Sequence, residues 1–479
     1  MNKLFLYNTL SRKREEFKPI KTSPRPSPYK GQGAVGLYTC GPTVYNYAHV
    51  GNLRAYVFAD ILNRVLKYNF GEKKVKWVMN ITDVDDKTIR DSKIKYPDMP
   101  PMQALKKFTA EFENYFWQDL EKLNIEKQQI KITRATEYIE KMQELVAKIF
   151  KSGLAYIKDG SVYFDVVKYS QKHKYGLLVD IDVSKLKSGA RIDSDEYEKD
   201  NVQDFVLWKG QKQGEPSWQF ELDGQKLPGR PGWHIECSAM GQAELGMPFD
   251  IHTGGVDLKF PHHENEIHQS VIGYKCKRPV NYWLHNEYLL VDGKKMSKRF
   301  NNFYTLKDLA EKKISPLAFR FLCLQTGYGK VMNFSWEALG AATEGLKHLY
   351  NQLKELKVKS IKYKVASINS NFKEKFSRAI NDDLNTPQAL AIIQEVLKSE
   401  IKDEEKLATI LDFDKVLGLG LAGALKEEKV PVEIEKIIRA REKARQDKNF
   451  EESDKLRWQI EKLGYNIEDT KNGQRITKK

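Results

Sequence analysis

Cysteine is scarce in this chain: four residues in 479, with no Cys-x-x-Cys pair. That excludes a disulfide scaffold, removes the strongest sequence signature of a zinc module, and makes a reducing, cytoplasmic compartment the expectation. No apolar run approaches 18 residues and no basic amphipathic anchor stands out, so no membrane partner is expected. The opening apolar stretch, Met1 to Leu10, is too short for a secretory signal. There is no long internal repeat, and low complexity is confined to a patch at 21–33 with prolines at 24, 26 and 28. Acidic residues are also short, 65 against 80 Lys and Arg, for a formal charge of +15. With membranes set aside, that balance points to another polyanion as partner. A chain of this length is expected to fold as two to four domains with sizeable cores.

Histidine is rare too, nine residues, yet His234, His252, His262, His263, His268 and His285 fall within one stretch. Cys237 lies among them. His262 and Glu266 stand at i, i+4, which on a helix puts an imidazole and a carboxylate on one face. Thiolate, imidazole and carboxylate together are a ligand set for zinc, which takes N, S and O donors tetrahedrally. A tetrahedral ion needs a further donor from another segment, and Cys40 is the one cysteine at a comparable strand-to-loop junction. The alternative is that the histidines hydrogen-bond to one another on a loop-rich surface.

Ala34 to Cys40 alternates like a strand, breaks at Gly41-Pro42, and gives way from Leu53 to a helical stripe of Val57, Ile61, Val65 and Tyr68. Strand, glycine turn and helix together offer backbone N–H groups and a positive dipole end to phosphate, with His49 and Asn52 at the helix entrance. Val75 to Ile81 reads as a second strand, so a parallel βαβ unit is expected. The polar run Thr82 to Lys87 follows its carboxyl end, where open α/β sheets bind ligands. Helices are expected at Met102–Leu123 and Tyr138–Ile149, and strands of an insertion at Val162–Val166 and Phe205–Trp208, with a polar linker at Ser184–Asp204. Thr253-Gly254-Gly255-Val256-Asp257 suits close backbone approach and ribose binding. Tyr288 to Val291 reads as a strand leading into Asp292-Gly293-Lys294-Lys295-Met296-Ser297-Lys298-Arg299, a basic loop able to neutralise a leaving pyrophosphate. Its bland alternative is a solvated charged turn. After Pro316 the pattern is helical up to Leu463, and Tyr465 to Ile476 gives a short β-like end.

Ala48-His49-Val50-Gly51-Asn52 and Lys295-Met296-Ser297-Lys298-Arg299 resemble the paired nucleotide-binding signatures of class I aminoacyl-tRNA synthetases. With Cys40, Asn80 to Lys87, Gly232 to Cys237 and Phe260 to Glu266, the resemblance narrows to the cysteinyl-tRNA synthetase family and spans the chain from about residue 4. It implies a Rossmann-like parallel-sheet catalytic domain with an insertion, then an α-helical bundle and a small mixed C-terminal domain. The implied bounds are 1–135 and 231–290 for the two catalytic halves, 136–230 for the insertion and 291–340 for the basic loop and stem-contact linker. The bundle would span 341–425 and an anticodon-binding domain 426–479.

The resemblance also implies roles. Zn2+, one per chain, would be held by Cys40, Cys237, His262 and Glu266 and would bind the sulfur of the substrate L-cysteine, where serine's hydroxyl keeps its proton. A site built around one specific bond can reject the analogue lacking it by roughly 10⁴–10⁵. Thr82, Trp233 and Cys40 would border the amino acid, with His49, His234 and His263 orienting donors or lining the pocket; His252, His268 and His285 read as ordinary polar residues. His49, Asn52, Lys295 and Lys298 would act on the phosphates of ATP, accompanied by Mg2+, with Gly51, Gly254 and Asp257 around the nucleotide. Arg445, Phe450, Asp454 and Asp469 would read the anticodon of cysteine tRNA, Phe450 standing where an aromatic, often tryptophan, stacks on a base. The core alternative places Phe450 and Trp458 on buried helix faces. A monomer is expected. Two departures from the family's commonest form are Asn52, where the first signature usually ends in histidine, and Arg299, where the second usually ends in serine. A small-molecule cysteine ligase would share the catalytic half but lack residues 426–479, and a non-catalytic RNA-binding protein would not need the donor set.

Overall fold

The computed structural model describes residues 3–20, 35–179, 204–296, 302–360, 367–425, 431–470 and 473–478. The proline patch at 21–33, most of the 184–204 linker, and Lys298 and Arg299 lie outside the described residues.

Five parallel strands form the central sheet: β1 (Val35–Thr39), β2 (Val75–Ile81), β3 (Ile130–Arg134), β4 (Phe249–Gly255) and β5 (Val280–Asn286). Their order is β3-β2-β1-β4-β5, with every neighbouring pair parallel. All but β3 are buried along nearly their whole length, as strands covered on both faces are. The order reverses between β1 and β4. In a doubly wound Rossmann-type sheet that switch point opens a crevice beyond the strands' carboxyl ends.

Helix α1 (Val50–Phe70) follows β1 and buries Leu53, Val57, Ile61 and Val65. It begins three residues before the apolar stripe because His49 caps it. The ring Nδ1 of His49 accepts the Asn52 N–H at 3.1 Å, and the His49 N–H donates to Asn52 Oδ1 at 3.3 Å. Histidine is not one of the usual capping residues, so the pattern hides this start.

The insertion is an antiparallel sheet of Ala155–Lys158, Ser161–Phe164, Phe205–Gly210 and Gly229–Pro231. Val166, expected to end a strand, instead starts the short helix Val166–Ser170, which Asp165 caps through the Lys168 N–H. Trp208 and Phe164 from this sheet share one continuous core with Tyr38, Val78 and Trp283 of the central sheet. Two helices then carry the histidine-rich stretch: α2 (Trp233–Leu245) and α3 (His262–Gly273).

Beyond β5, Leu289–Val291 pairs antiparallel with Lys294–Lys295 and parallel with Met332–Phe334. The last of these corrects the all-helical expectation after Pro316; at three residues it is too short to show a period of two. Helices Pro316–Leu324, Trp336–Ser360, Ser370–Ile380, Thr386–Lys398 and Asp403–Leu417 form the helical region of this unit. Residues 422–479 cluster as a second compact unit. It contains α4 (Val432–Gln446), α5 (Phe450–Lys462) and the hairpin Tyr465–Thr470/Gly473–Lys478, with Ile434, Ile460, Tyr465 and Ile467 at its core.

Arg320, fully buried, ties the helical region to α1. It donates to Asp60 Oδ2 at 2.5 Å and to the carbonyls of Leu417 and Leu123 at 2.8 and 3.0 Å. Arg64 also pairs with Asp60 at 2.7 Å, so loss of Arg320 would not leave that carboxylate wholly uncompensated. Arg320→Met is expected to lower stability by about 3 kcal/mol, read as a shift in the urea midpoint. An unchanged midpoint would mean that the buried guanidinium contributes no net stability.

Candidate active site and metal centre

The carboxyl ends of β1 and β4 open into a cleft of about 500 Å3. Cys40 lies in its floor just past β1, and Gly254 and Asp257 line the side formed by the end of β4. The start of α1 supplies the opposite wall with His49, Gly51 and Asn52. A side chain at Gly51 would put its Cβ 2.9 Å from the His49 ring, and one at Gly254 would come within 2.7 Å of the His263 ring. Both positions need glycine because a histidine folds over the backbone there.

Burial holds His49 down at about 4, so the imidazole is neutral near pH 7. Because its Nδ1 accepts the Asn52 N–H, the ring proton sits on Nε2 as a donor. Asn52 spends its carbonyl oxygen on the cap, which a histidine at that position could do only through a ring nitrogen. Lys295 lines the cleft from the short Lys294–Lys295 strand, with its ammonium 5.8 Å from the centre of the Tyr288 ring. Lys298 lies outside the described residues. The chain returning from the basic loop packs on α1: Val50 donates to the Tyr304 carbonyl at 2.8 Å, and Phe303 meets the His49 ring edge-on at 4.9 Å. Buried Arg54 ties α1 to the same hairpin, donating to the carbonyls of Glu287 and Tyr288 at 2.8 and 2.6 Å and of Lys330 at 2.5 Å. Sequence reasoning missed Arg54, since nothing in its spacing distinguishes it from a solvated helix charge.

Cys40, Cys237, His262 and Glu266 are all buried, and their donor atoms lie within 4.8 Å of one another. The two sulfurs are 3.7 Å apart, Cys40 Sγ is 3.9 Å from Glu266 Oε1, and His262 Nε2 is 3.0 Å from the same oxygen. A tetrahedral zinc with bonds of about 2.0–2.3 Å sets its donors roughly 3.3–3.8 Å apart. The spacing and the soft-plus-borderline donor chemistry fit zinc. Burial raises the Cys40 thiol, with Cys237 and Glu266 adding to the rise. Burial would also raise Cys237, but its bonds to Cys40 and His262 hold it down at about 6. For Glu266, His252 and His262 overcome burial and hold it at about 2. A second buried group, Cys40, His252, His263 and Glu266, meets the same distance criterion.

The surrounding histidines do more than the sequence suggests. His252, expected to be an ordinary polar residue, holds the other Glu266 oxygen at 3.0 Å. His285, likewise, bonds His263 at 2.8 Å and Thr9 at 2.8 Å, while His263 reaches the Cys40 sulfur at 3.2 Å. His234 pairs with His262 through their Nδ1 atoms at 3.0 Å, leaving His262 Nε2 toward Glu266. Such outer partners orient metal-site ligands. Trp233 lines the cleft and stacks on His262 at 4.2 Å. Thr82 does not line the cleft: it is buried, and its hydroxyl donates to Glu236 Oε2 at 2.7 Å.

On α3, between His262 and Glu266, Glu264 points to the insertion. Its carboxylate accepts the backbone N–H groups of Gly176, Leu177 and Leu178 at 2.7–2.8 Å and lies 2.6 Å from His268 Nε2. His268, also expected to be an ordinary polar residue, thus helps clamp the insertion to the helix that carries two of the four donors.

In the second unit Asp469 is held by both terminal nitrogens of Arg441, at 2.9 and 3.0 Å, and by Arg445 at 3.0 Å. Phe450 and Asp454 are exposed on α5, Phe450 at 62%. The core alternative therefore fails for Phe450, and for Trp458 at 57%.

Residues 27–344 match the family described as tRNA synthetases class I (C) catalytic domain. A switch-point cleft walled by a helix N-terminus and a basic hairpin is thus that of a class I aminoacyl-tRNA synthetase. Residues 375–422 match the DALR domain, and 427–476 the cysteinyl-tRNA ligase anticodon binding domain. Cysteine–tRNA ligases of Leptospira interrogans and Chlamydia muridarum are 42% and 41% identical to the chain, over 100% and 99% of both lengths. The chain belongs to the cysteine–tRNA ligase family of class I synthetases. A solved structure of Mycobacterium tuberculosis methionyl-tRNA synthetase in complex with methionyl-adenylate, 14% identical, matches with a TM-score of 0.56 over 82% of this chain and 93% of its own. That likeness is one of fold. Among the described residues no helix is long and apolar enough to cross a membrane.

Glu264→Gln keeps the side chain's shape but removes the charge and one acceptor from three buried N–H groups. The expected loss is about 1–3 kcal/mol, measured as a denaturation midpoint. An unchanged midpoint would show that other contacts hold the 176–178 backbone.

Proposed function

We propose that the chain activates L-cysteine with ATP and transfers it to the 3′ end of cysteine tRNA, with one zinc ion selecting the substrate thiol. The observation that carries this reading is a buried quartet, Cys40, Cys237, His262 and Glu266, of which Cys40 alone lines the cleft. These four residues would hold zinc where Cys40 meets the cleft, near Trp233, and the ion would supply a centre that takes a thiolate in preference to a hydroxyl. The alternative group with His252 and His263 has one sulfur in place of two, and its histidines contact Glu266 and Cys40, two donors of the quartet.

Activation needs no enzyme nucleophile. The cysteine carboxylate attacks the α-phosphorus, pyrophosphate leaves, and a hydroxyl of the terminal tRNA ribose then attacks the adenylate carbonyl. The protein's part is positioning and charge stabilisation. The neutral His49 offers Nε2–H, and the start of α1 offers backbone N–H groups to phosphate. Asn52 keeps His49 in its donor tautomer and leaves its own amide N–H2 to the cleft, which is how the departure from histidine is accommodated. Lys295 and Lys298 offset charge on the departing pyrophosphate, Mg2+ accompanies ATP, and Asp257 accepts from the ribose. Gly51 and Gly254 border the nucleotide, each leaving room for the histidine ring packed on it. Thr82 acts by holding Glu236, and Trp233 borders the amino acid.

Residues 426–479 form the anticodon-binding domain in this reading, with Arg445, Phe450, Asp454 and Asp469 facing RNA and the protein acting as a monomer. This domain favours tRNA over a small amine as the acceptor.

Charging of cysteine tRNA with labelled cysteine is expected, with serine at least about 10⁴-fold poorer. Cysteine-dependent pyrophosphate exchange without charging would instead indicate the small-molecule ligase. Cys237→Ala is expected to lose stoichiometric zinc, and retention of one zinc per chain together with normal serine rejection would overturn the quartet. Phe450→Ala is expected to raise the KM for tRNA about tenfold; equal losses in exchange and charging would mark the ring as structural.

A further inference from the structure

The second unit carries another exposed ring that no role above uses. On α5 the residues turned to the core are Ser453, Leu456 and Ile460. Phe450 and Trp458 lie off that stripe, 62% and 57% exposed, among the most exposed large apolar side chains of the described residues. Asp454, also exposed, stands midway between them. The spacing i, i+4, i+8 runs the three along one side of the helix. A single exposed apolar residue is ordinary. Two large rings flanking a carboxylate on an RNA-binding unit are a different matter, because aromatic faces are what unpaired bases stack on.

The environment of Trp458 adds charge of the right sign. Lys462, one turn further on, sets its ammonium 3.7 Å from the centre of the Trp458 ring. That cation–π contact steadies the indole from one side and keeps a positive charge beside it for phosphate. The remaining exposure leaves room for a base on the other side.

We infer that Trp458 is a second base-stacking platform, taking an unpaired base of the anticodon loop splayed away from the base on Phe450. Asp454, between the two, accepts hydrogen bonds from a base edge. The inference rests on the anticodon reading proposed above. Eight helical residues separate the two rings by about 12 Å along the axis, whereas stacked bases in a duplex strand step by about 3.4 Å. Neighbouring stacked bases therefore cannot serve both rings. An opened loop can, and loops of splayed bases are the form in which RNA sequence is read.

The test titrates the anticodon stem-loop RNA of cysteine tRNA against the full-length protein and its Trp458→Ala, Trp458→Phe and Phe450→Ala variants. Trp458→Ala is expected to bind about tenfold more weakly and Trp458→Phe within about threefold of the parent. RNA should quench an indole fluorescence component that Trp458→Phe lacks. Parent-like binding by Trp458→Ala, with Phe450→Ala weakened, would overturn the role of Trp458 and leave the anticodon reading standing. Parent-like binding by both alanine variants would overturn the anticodon reading as well. A loss that phenylalanine does not restore, accompanied by a lower melting temperature, would assign Trp458 to the fold.

Discussion

Two thiols, an imidazole and a carboxylate crowd within 4.8 Å in a buried site at the end of β1, and the catalytic half is arranged around that concentration of ionisable groups. Buried charge is tolerated only where it is paired or coordinated. Glu266 is shared between His252 and His262, His262 is backed by His234, and Cys40 is approached by His263, itself held by His285. These contacts fix the donors in place, as outer partners do in metal sites generally.

The fold serves that cluster by drawing three distant segments to one point. The loop after β1 brings Cys40, α2 brings Cys237, and α3 brings His262 and Glu266. The switch in strand order opens the cleft directly above them. Glu264 fastens the insertion to α3, and Arg54 fastens α1 to the basic hairpin. The insertion is therefore part of the same packed core as the sheet, with Trp208 and Trp283 in one cluster.

Much of this was legible in the sequence because it rests on local patterns. Alternation from Ala34 marked β1, an apolar run from Val75 marked β2, and the i, i+4 pair His262 and Glu266 marked a helix face with two donors. Cys40 could be singled out only by its place after a strand. What stayed hidden depends on tertiary packing. His252, His268 and His285 read as ordinary polar residues because a buried hydrogen-bond network leaves no periodic trace. Thr82 turned away from the cleft to Glu236 for the same reason. The start of α1 was misplaced because histidine served as its cap, and Met332–Phe334 was missed because it exists only by pairing with Leu289–Val291.

In the proposed function a chemical distinction between sulfur and oxygen would be made at the end of β1, and RNA would be read by a separate small unit. The most direct test of the first half is X-ray absorption at the zinc edge of the purified protein, with and without cysteine. Two sulfur neighbours at about 2.3 Å, rising to three when cysteine is added and staying at two with serine, is the predicted result. One sulfur neighbour, or a count that cysteine does not change, would contradict it.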